Sequence, residues 1–192
     1  MSDSIPKSTT VPIFGAGVAA TPAPLEADVI ELFDQLRDRL MRYLFTFHLP
    51  VADCEEVIQE AFLALFRHLQ RGRSRHNLRG WLFRVSHNLA LKRYRQSRRD
   101  FSSLVDLEGT SEVEVADPAP NPETEFSNGE TRERLQAVVR ALPQQDRRCL
   151  ALRAEGLRYR EIAEILEISL GSVSISLERS LARLARANGR VS

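Results

Sequence analysis

Apolar positions recur at three- and four-residue spacing along most of this chain. Over residues 27–47, "ADVIELFDQLRDRLMRYLFTF", Val29, Leu32, Phe33, Leu36, Leu40, Tyr43, Leu44 and Phe47 share one face, which predicts an amphipathic helix. Pro50 interrupts, and Asp53 is available as an N-cap for the next helix, "CEEVIQEAFLALFRHL". There Val57, Ala61, Leu65 and Phe62, Phe66, Leu69 face inward. "QRGRSRHNLRG", broken by Gly72 and Gly80, reads as a loop, and "WLFRVSHNLALKRYRQSRR" resumes helical spacing through Leu82, Val85, Leu89 and Lys92. No strand-like alternation interrupts these segments.

Residues 101–128 break the rhythm. Pro118, Pro120 and Pro122 cannot share one helix interior, and the acidic, Pro-containing composition favours an extended linker. Helical spacing returns at Glu130 and continues through "QQDRRCLALRAEG", where Gly156 suits a C′ position. The fold class expected is all-α, with two small helical domains: a flexible tail over 1–25, a bundle over 26–100, the acidic linker over 101–128 and a second unit over 129–188. Each unit is small enough that its core would be marginal alone.

The end of the chain, "YREIAEILEISLGSVSISLERSLAR", has the geometry of a helix-turn-helix. Ile162, Ala163 and Leu166 form the inner face of the first helix, Ile168 plugs the turn, and Ser169 can cap the second helix. Val173, Leu177, Leu181 and Leu184 then make one inward stripe. The opposite face centres on Ile175 and Arg179, flanked by Ser172, Ser176, Glu178, Ala182 and Arg186. An ordinary αα-hairpin is the alternative.

Composition adds little by itself; the formal net charge is only +1. Its distribution adds much more. No acidic residue lies between Glu60 and Asp100, a stretch that carries 11 Lys and Arg, whereas none of these two types lies between Arg99 and Arg132. A basic block beside an acidic one implies distinct polyanionic and basic partners. Trp81, Phe83 and Tyr94 interleave with the basic residues, and Asn88 is suited to base edges. Such a mixture fits unstacked bases, because every base offers a face for stacking. The alternative is a solvated helix face with Trp81 in the core.

Other chemistries lack residues to support them. Cys54 and Cys149 have no metal-ligand spacing and read as buried thiols in reducing cytoplasm, and His48, His68, His76 and His87 show no ligand pairing. There is no Gly-rich phosphate loop, nucleophile elbow or paired catalytic carboxylate, so neither an enzyme, a metal nor a cofactor is expected. No apolar run approaches the length of a membrane span, and the N-terminus lacks the pattern of a signal peptide.

Three segments together resemble the extracytoplasmic-function (ECF) class of bacterial sigma factors, over about residues 27–187. "ADCEEVIQEAFLALFRHL" is similar to the region 2 helix that grips the β′ clamp helices of RNA polymerase. "LRGWLFRVSHNLALKRYRQSRR" is similar to the promoter −10 segment. "ALPQQDRRCLALRAEGLRYREIAEILEISLGSVSISLERSLARL" is similar to region 4, whose helix-turn-helix reads the −35 element. The resemblance implies core polymerase contacts at Glu56, Gln59, Glu60 and Phe62. It implies −10 contacts at Arg71, Arg73, Arg75, Trp81, Arg84, Asn88, Lys92 and Arg95, with a base-capturing loop at about 70–78. It implies −35 contacts at Ser172, Ser174, Ile175, Ser176, Arg179 and Arg183. The partners implied are core RNA polymerase (β′ clamp helices and β flap), promoter DNA and an anti-sigma factor, with no membrane insertion and a cytoplasmic location.

This chain departs from the family at the recognition helix. Members commonly read "GTVKSRL", and here the text is "GSVSISL", with Ser174 and Ser176 where basic residues are usual. Weaker phosphate anchoring follows, with hydroxyl groups and an outward Ile175 left to touch bases. Lys92 replaces a frequent acidic residue. The bare recognition helix keeps a second reading open, a regulatory adaptor that binds polymerase through region 2 and uses its C-terminal unit for protein contacts.

Overall fold

The computed structural model describes residues 24–105 and 126–189, and these residues form helices with no strand among them. The first three helices, α1 (Pro24–Leu44), α2 (Val51–Gln70) and α3 (Leu78–Val105), pack together, with a short 3₁₀ turn at Phe45–Phe47 after α1. Their apolar stripes meet at Leu40, Tyr43, Leu44, Phe47, Val57, Leu65, Leu82 and Phe83, all fully buried. Asp53 lies inside the first turn of α2, and the N-cap position is Pro50, one turn earlier than the sequence pattern placed it. At that site its carboxylate favours the helix N-terminus and reaches Arg93 of α3.

Two boundaries move relative to expectation. Helix α3 runs on to Val105, past the basic block, and α4 (Phe126–Arg140) starts a turn before Glu130. The expected tail over 1–25 and most of the acidic linker fall outside the described residues.

The C-terminal helices are α4, α5 (Gln144–Ala154), α6 (Tyr159–Leu166) and α7 (Leu170–Asn188). Helix α5 ends in a Schellman arrangement. Gly156, at φ +80°, donates to the carbonyl of Arg153, and Leu157 donates to that of Leu152. Both leucines are buried, so the turn is also an apolar contact. Ser169 caps α7 by accepting from the backbone N–H of Ser172 at 3.1 Å. Between α6 and α7 the chain turns through Glu167, a non-glycine residue at φ +55°, while Ile168 donates to the carbonyl of Ala163.

The inner face of α7 is rotated from the predicted one. Val173, Ser176, Leu177 and Ser180 are buried, whereas Leu181 is 55% exposed. The physical reason is the close crossing of α5 over α7, which the small side chains of Ser176 and Ser180 admit. Ser180 satisfies its hydroxyl by donating to the carbonyl of Ser176 at 2.7 Å.

The two sets of helices share one buried cluster, running from Leu36 through Ala90 to Cys149 and Leu177. At their junction Glu155, at the end of α5, accepts from Arg39 Nε and Arg42 Nε, each at 2.9 Å. Its backbone carbonyl accepts from Arg39 and also from Arg79 of α3. Burial works to raise the Glu155 pKa, but hydrogen bonds from Arg42 and Arg39 and their charges outweigh it and hold the carboxyl below its ordinary value. Nearby, the Arg148 guanidinium sits 4.0 Å above the Phe47 ring.

His87 is buried in the same region and its Nδ1 lies 2.6 Å from the Tyr43 hydroxyl. Burial first, and the charge of Arg148 second, lower its pKa from 6.5 to about 4. Burial also raises the Tyr43 pKa, so the phenol donates and the imidazole stays neutral. A lowered histidine pKa means the unfolded chain binds the extra proton between pH 6.5 and about 4. Stability should therefore be full above pH 6.5 and fall by up to about 3 kcal/mol as pH drops to 4. Urea unfolding midpoints measured across that range should decline for the wild type and decline less for His87→Gln.

Candidate nucleic-acid interface

Helix α3 has an inner face, Leu82, Phe83, Ser86 and Ala90, and an outer one. Trp81, Arg84, Asn88, Lys92, Arg95 and Arg99 follow one another at three- or four-residue steps, so they form a single stripe. Arg84, Asn88, Lys92 and Arg95 are exposed, and Trp81 is half-buried with its ring 4.9 Å from that of His68. The stripe combines donors for phosphate, an amide for base edges and one aromatic face.

The loop before α3 is built on two local devices. Gly72, at φ +65°, closes α2 by donating to the carbonyl of Leu69, and Asn77 caps α3 by accepting from the backbone N–H of Gly80 at 3.1 Å. A Cβ at Gly80 would lie 2.5 Å from the Asn77 amide nitrogen, so a larger residue there would push the capping side chain aside. Arg71, Arg73 and Arg75 project from this exposed loop; Arg75 also pairs with Asp28 of α1 at 2.6 Å.

On α2, Glu56, Gln59 and Glu60 are exposed along one face. Arg93 of α3 bridges Glu56 at 2.6 Å and Glu60 at 2.8 Å, locking the two helices in register. Hydrogen bonding to Glu60 is the main influence raising the Arg93 pKa, partly opposed by burial. Phe62 does not belong to the outer surface: it is 6% exposed and packs edge-on against Phe33 at 5.0 Å. The apolar residue that does join this face is Leu63, 49% exposed. It stands seven positions after Glu56 and four after Gln59, a spacing readable from sequence once the helix phase is known.

On α7 the six expected side chains divide. Ile175 is 60% exposed, and Arg179 is also exposed. Ser172 is half-buried against the Ser169 cap, and Ser174 donates to Glu178 at 3.1 Å. Arg183 is half-buried. Ser176 is 1% exposed and lies between helices, so its expected outward position is corrected. The close helix crossing that turns it inward is the same one that exposes Leu181.

Arg179 is not free to swing. Its Nε and Nη2 both donate at 2.7 Å to Asp146, a buried residue of α5 that the sequence reading did not single out. Burial works to raise the Asp146 pKa, but hydrogen bonds from Arg179 and Ser176 and the charges of Arg179 and Arg183 hold it below 3.8. An Asp three positions after Pro143 is the only sequence signal for this partner, and pairing across helices is invisible to periodicity.

The C-terminal unit lies across the α3 stripe. Glu161 accepts from the Asn77 side-chain amide at 2.7 Å, and Glu161, Glu164 and Ile165 face Trp81 and Arg84 across a cavity of about 170 Å³. Farther along, Glu167 shares a cleft of about 760 Å³ with Asn88, Lys92, Arg95 and Arg99.

Comparison with known proteins agrees with this geometry. The sigma-70 region 2 family model matches residues 32–100 and the sigma-70 region 4 family model matches residues 132–184. The chain is 32% identical to the ECF RNA polymerase sigma-E factor of Escherichia coli K12, over 69% of this chain and 72% of that protein. It is also 32% identical to the ECF RNA polymerase sigma factor SigE of Mycolicibacterium smegmatis, over 80% of this chain and 59% of the relative's length. Among solved structures, it is similar to the sigma factor RpoE in complex with the anti-sigma factor NepR from Bartonella quintana, with TM-score 0.63, 19% identity and coverage of 86% and 99%. It is also similar to CnrH in complex with the cytosolic domain of CnrY, with TM-score 0.54, 20% identity and coverage of 87% and 91%. Among the described residues no helix is long and apolar enough to cross a membrane.

Asp146→Asn should keep the shape of the α5–α7 crossing while removing the charge that holds Arg179. Because the native carboxyl titrates below 3.8, its contribution is present above that pH and lost as pH falls through the native value. The variant should therefore melt below the wild type at pH 7, and the gap should narrow below pH 3.8. Paired thermal melts at neutral and acidic pH measure it.

Proposed function

The chain belongs to the ECF class of the sigma-70 family, and from that premise we propose how its helices divide the work of promoter-specific initiation. The outer face of α2, with Glu56, Gln59, Glu60 and Leu63, docks core RNA polymerase. The loop at Arg71, Arg73 and Arg75 and the α3 stripe from Trp81 to Arg95 bind the −10 segment as it opens. The outer face of α7, with Ile175 and the Arg179 guanidinium held by Asp146, meets the −35 element. In this reading residues 26–100 and 129–188 are the two binding units, joined by the acidic linker.

The observation that carries the reading is the continuity of the α3 stripe. Cations, an amide and an aromatic ring recur along one helical face, next to an exposed arginine-bearing loop. Phosphate contacts supply affinity, and stacking holds an unpaired base regardless of its identity. No bond is made or broken by these groups. Their binding energy positions polymerase and stabilises melted DNA, and the protein acts in the cytoplasm as a non-enzymatic factor. The B. quintana sigma factor RpoE is in complex with the anti-sigma factor NepR, and CnrH with the cytosolic domain of CnrY. A comparable anti-sigma partner is proposed for this chain on that likeness.

The groove-facing part of α7 is poor in positive charge, since Ser174 is tied to Glu178 and Arg179 to Asp146. That favours −35 contacts made by hydroxyl and methyl groups, with a shallow dependence on salt. It also keeps the adaptor reading in view. Reconstituted transcription with core polymerase separates the two: specific start sites support the sigma factor, and core binding without them supports the adaptor.

Leu63→Asp provides a sharper check of the α2 face. The side chain is half out in solvent, so the fold should survive, while a carboxylate at an apolar contact should weaken core binding about tenfold or more. Unchanged affinity in a pull-down titration with core polymerase would remove α2 from the interface.

A further inference from the structure

A recognition helix reads DNA with the side chains that its packing turns outward, and in α7 packing selects a residue that periodicity alone leaves at the flank. Val173, Ser176, Leu177 and Ser180 are buried. At about 100° per residue, the direction opposite to them runs through Gly171, Ile175, Glu178 and Ala182, all exposed. The rotation that turns Ser176 inward therefore brings Glu178 to the middle of the outer face. We propose that Glu178 is a base-reading residue of the −35 contact and that it selects cytosine, whose N4 amino group donates to the carboxylate in the major groove. The proposal rests on the assignment of α7 to the −35 element.

The surroundings of Glu178 give its charge no use within the helix. Its neighbours at three and four positions are Ser174, Ile175, Leu181 and Ala182, none of them a cation that could form an ion pair along the helix. Arg179, next in sequence, is turned to α5, where its Nε and Nη2 both meet Asp146 at 2.7 Å. The Ser174 hydroxyl donates to Glu178 Oε1 at 3.1 Å. Ser174 lies one turn nearer the N-terminus, the end of a recognition helix that contacts base edges. This bond holds the carboxylate towards that end and leaves Oε2 able to accept from a base.

Carboxylate chemistry narrows what such a group can read. It only accepts hydrogen bonds and is repelled by phosphates, so beside DNA it is favourable only at a donor. The major groove offers two base donors, cytosine N4 and adenine N6. Adenine N6 lies between two acceptors, its own N7 and thymine O4. Cytosine N4 has an acceptor, guanine O6, on one side and a C5–H on the other, so the second carboxylate oxygen meets less repulsion there. Gly171 and Ala182 lie on the same line as Glu178 and let the helix backbone come close to the groove floor. Ile175, one turn before Glu178, then offers an apolar surface to a thymine methyl on an adjoining pair. With Ser174 and Ser176 in place of cations, little general phosphate attraction remains to offset a wrong base at Glu178.

The test is transcription by the full chain with core polymerase from a promoter library randomised across the −35 element, with transcripts counted by template barcode. Wild type should prefer cytosine at one position by about tenfold over guanine or thymine. Glu178→Gln should lose that preference at that position alone and turn it towards adenine, because an amide can pair with N6 and N7 together. The side chain is exposed and the replacement has the same shape, so melting temperature should match wild type. Ser174→Ala should weaken the cytosine preference without changing its base. Glu133→Gln, which removes an exposed carboxylate from α4, should alter no position. An effect of Glu178→Gln spread equally over all sequences, an unchanged preference, or a wild-type preference for another base at the altered position would overturn Glu178 as a reader while sparing the −35 assignment. No sequence preference across the randomised element in the wild type would overturn that assignment and the proposal with it.

Discussion

The arginine cluster around Glu155 is the constraint on which the arrangement of helices depends. A carboxylate this deeply buried is tolerable only with hydrogen-bonded cations around it, and Arg39 and Arg42 reach it from α1. Arg79 meets its carbonyl from the start of α3, so two helices are fixed to the end of α5. The Gly156 turn makes this possible. Its positive φ ends α5 with the carbonyl exposed to Arg79, and a Cβ there would stand only 3.1 Å from the Arg79 Nη2. The path of α6 along α3 follows from where that turn releases the chain.

Helix α3 serves the core and the surface at once, and the separation is kept by Arg93. Its bridges to Glu56 and Glu60 hold α2 and α3 so that one exposes a carboxylate face and the other a basic stripe. Opposite charges on adjacent helices suit two different partners that must bind together. In the proposed function those are a protein and a nucleic acid, and neither asks for catalytic chemistry.

Helical periodicity made the all-α class legible, because Leu40, Tyr43, Val57, Leu65 and Leu82 recur with the period that burial requires. Ser169 as a cap and Gly156 as a helix end were legible for the same local reason. Apart from the N-cap of α2, which falls at Pro50 and not at Asp53, the failures were matters of helix against helix. Ser176 looks available on an isolated helical wheel, yet the α5 crossing covers it; Phe62, inward by its spacing, is covered by Phe33 and is not on the surface that the family resemblance implied. Asp146 and Glu155 carry the junctions, but the arginines that neutralise them lie 33 and more than 100 positions away. A charge pattern along the chain shows which residues need partners. It does not show which partners they find.

The serines of α7 show how packing can set recognition. Ser176 and Ser180 let α5 approach, and the approach brings Asp146 within reach of Arg179. A bulky basic residue at 176 could not occupy the crossing in this rotation, so loss of charge there and capture of Arg179 are one structural event. Arg179 then presents a fixed guanidinium with its remaining N–H groups outward, in place of a mobile cation that can follow any phosphate. Pre-organisation of this kind lowers the entropy lost on contact but narrows the set of geometries that fit. In the proposed reading, α7 therefore exchanges general phosphate affinity for a narrower contact built on Ile175 and a clamped arginine, and the exposed arginines of the 71–75 loop are left to supply electrostatic attraction.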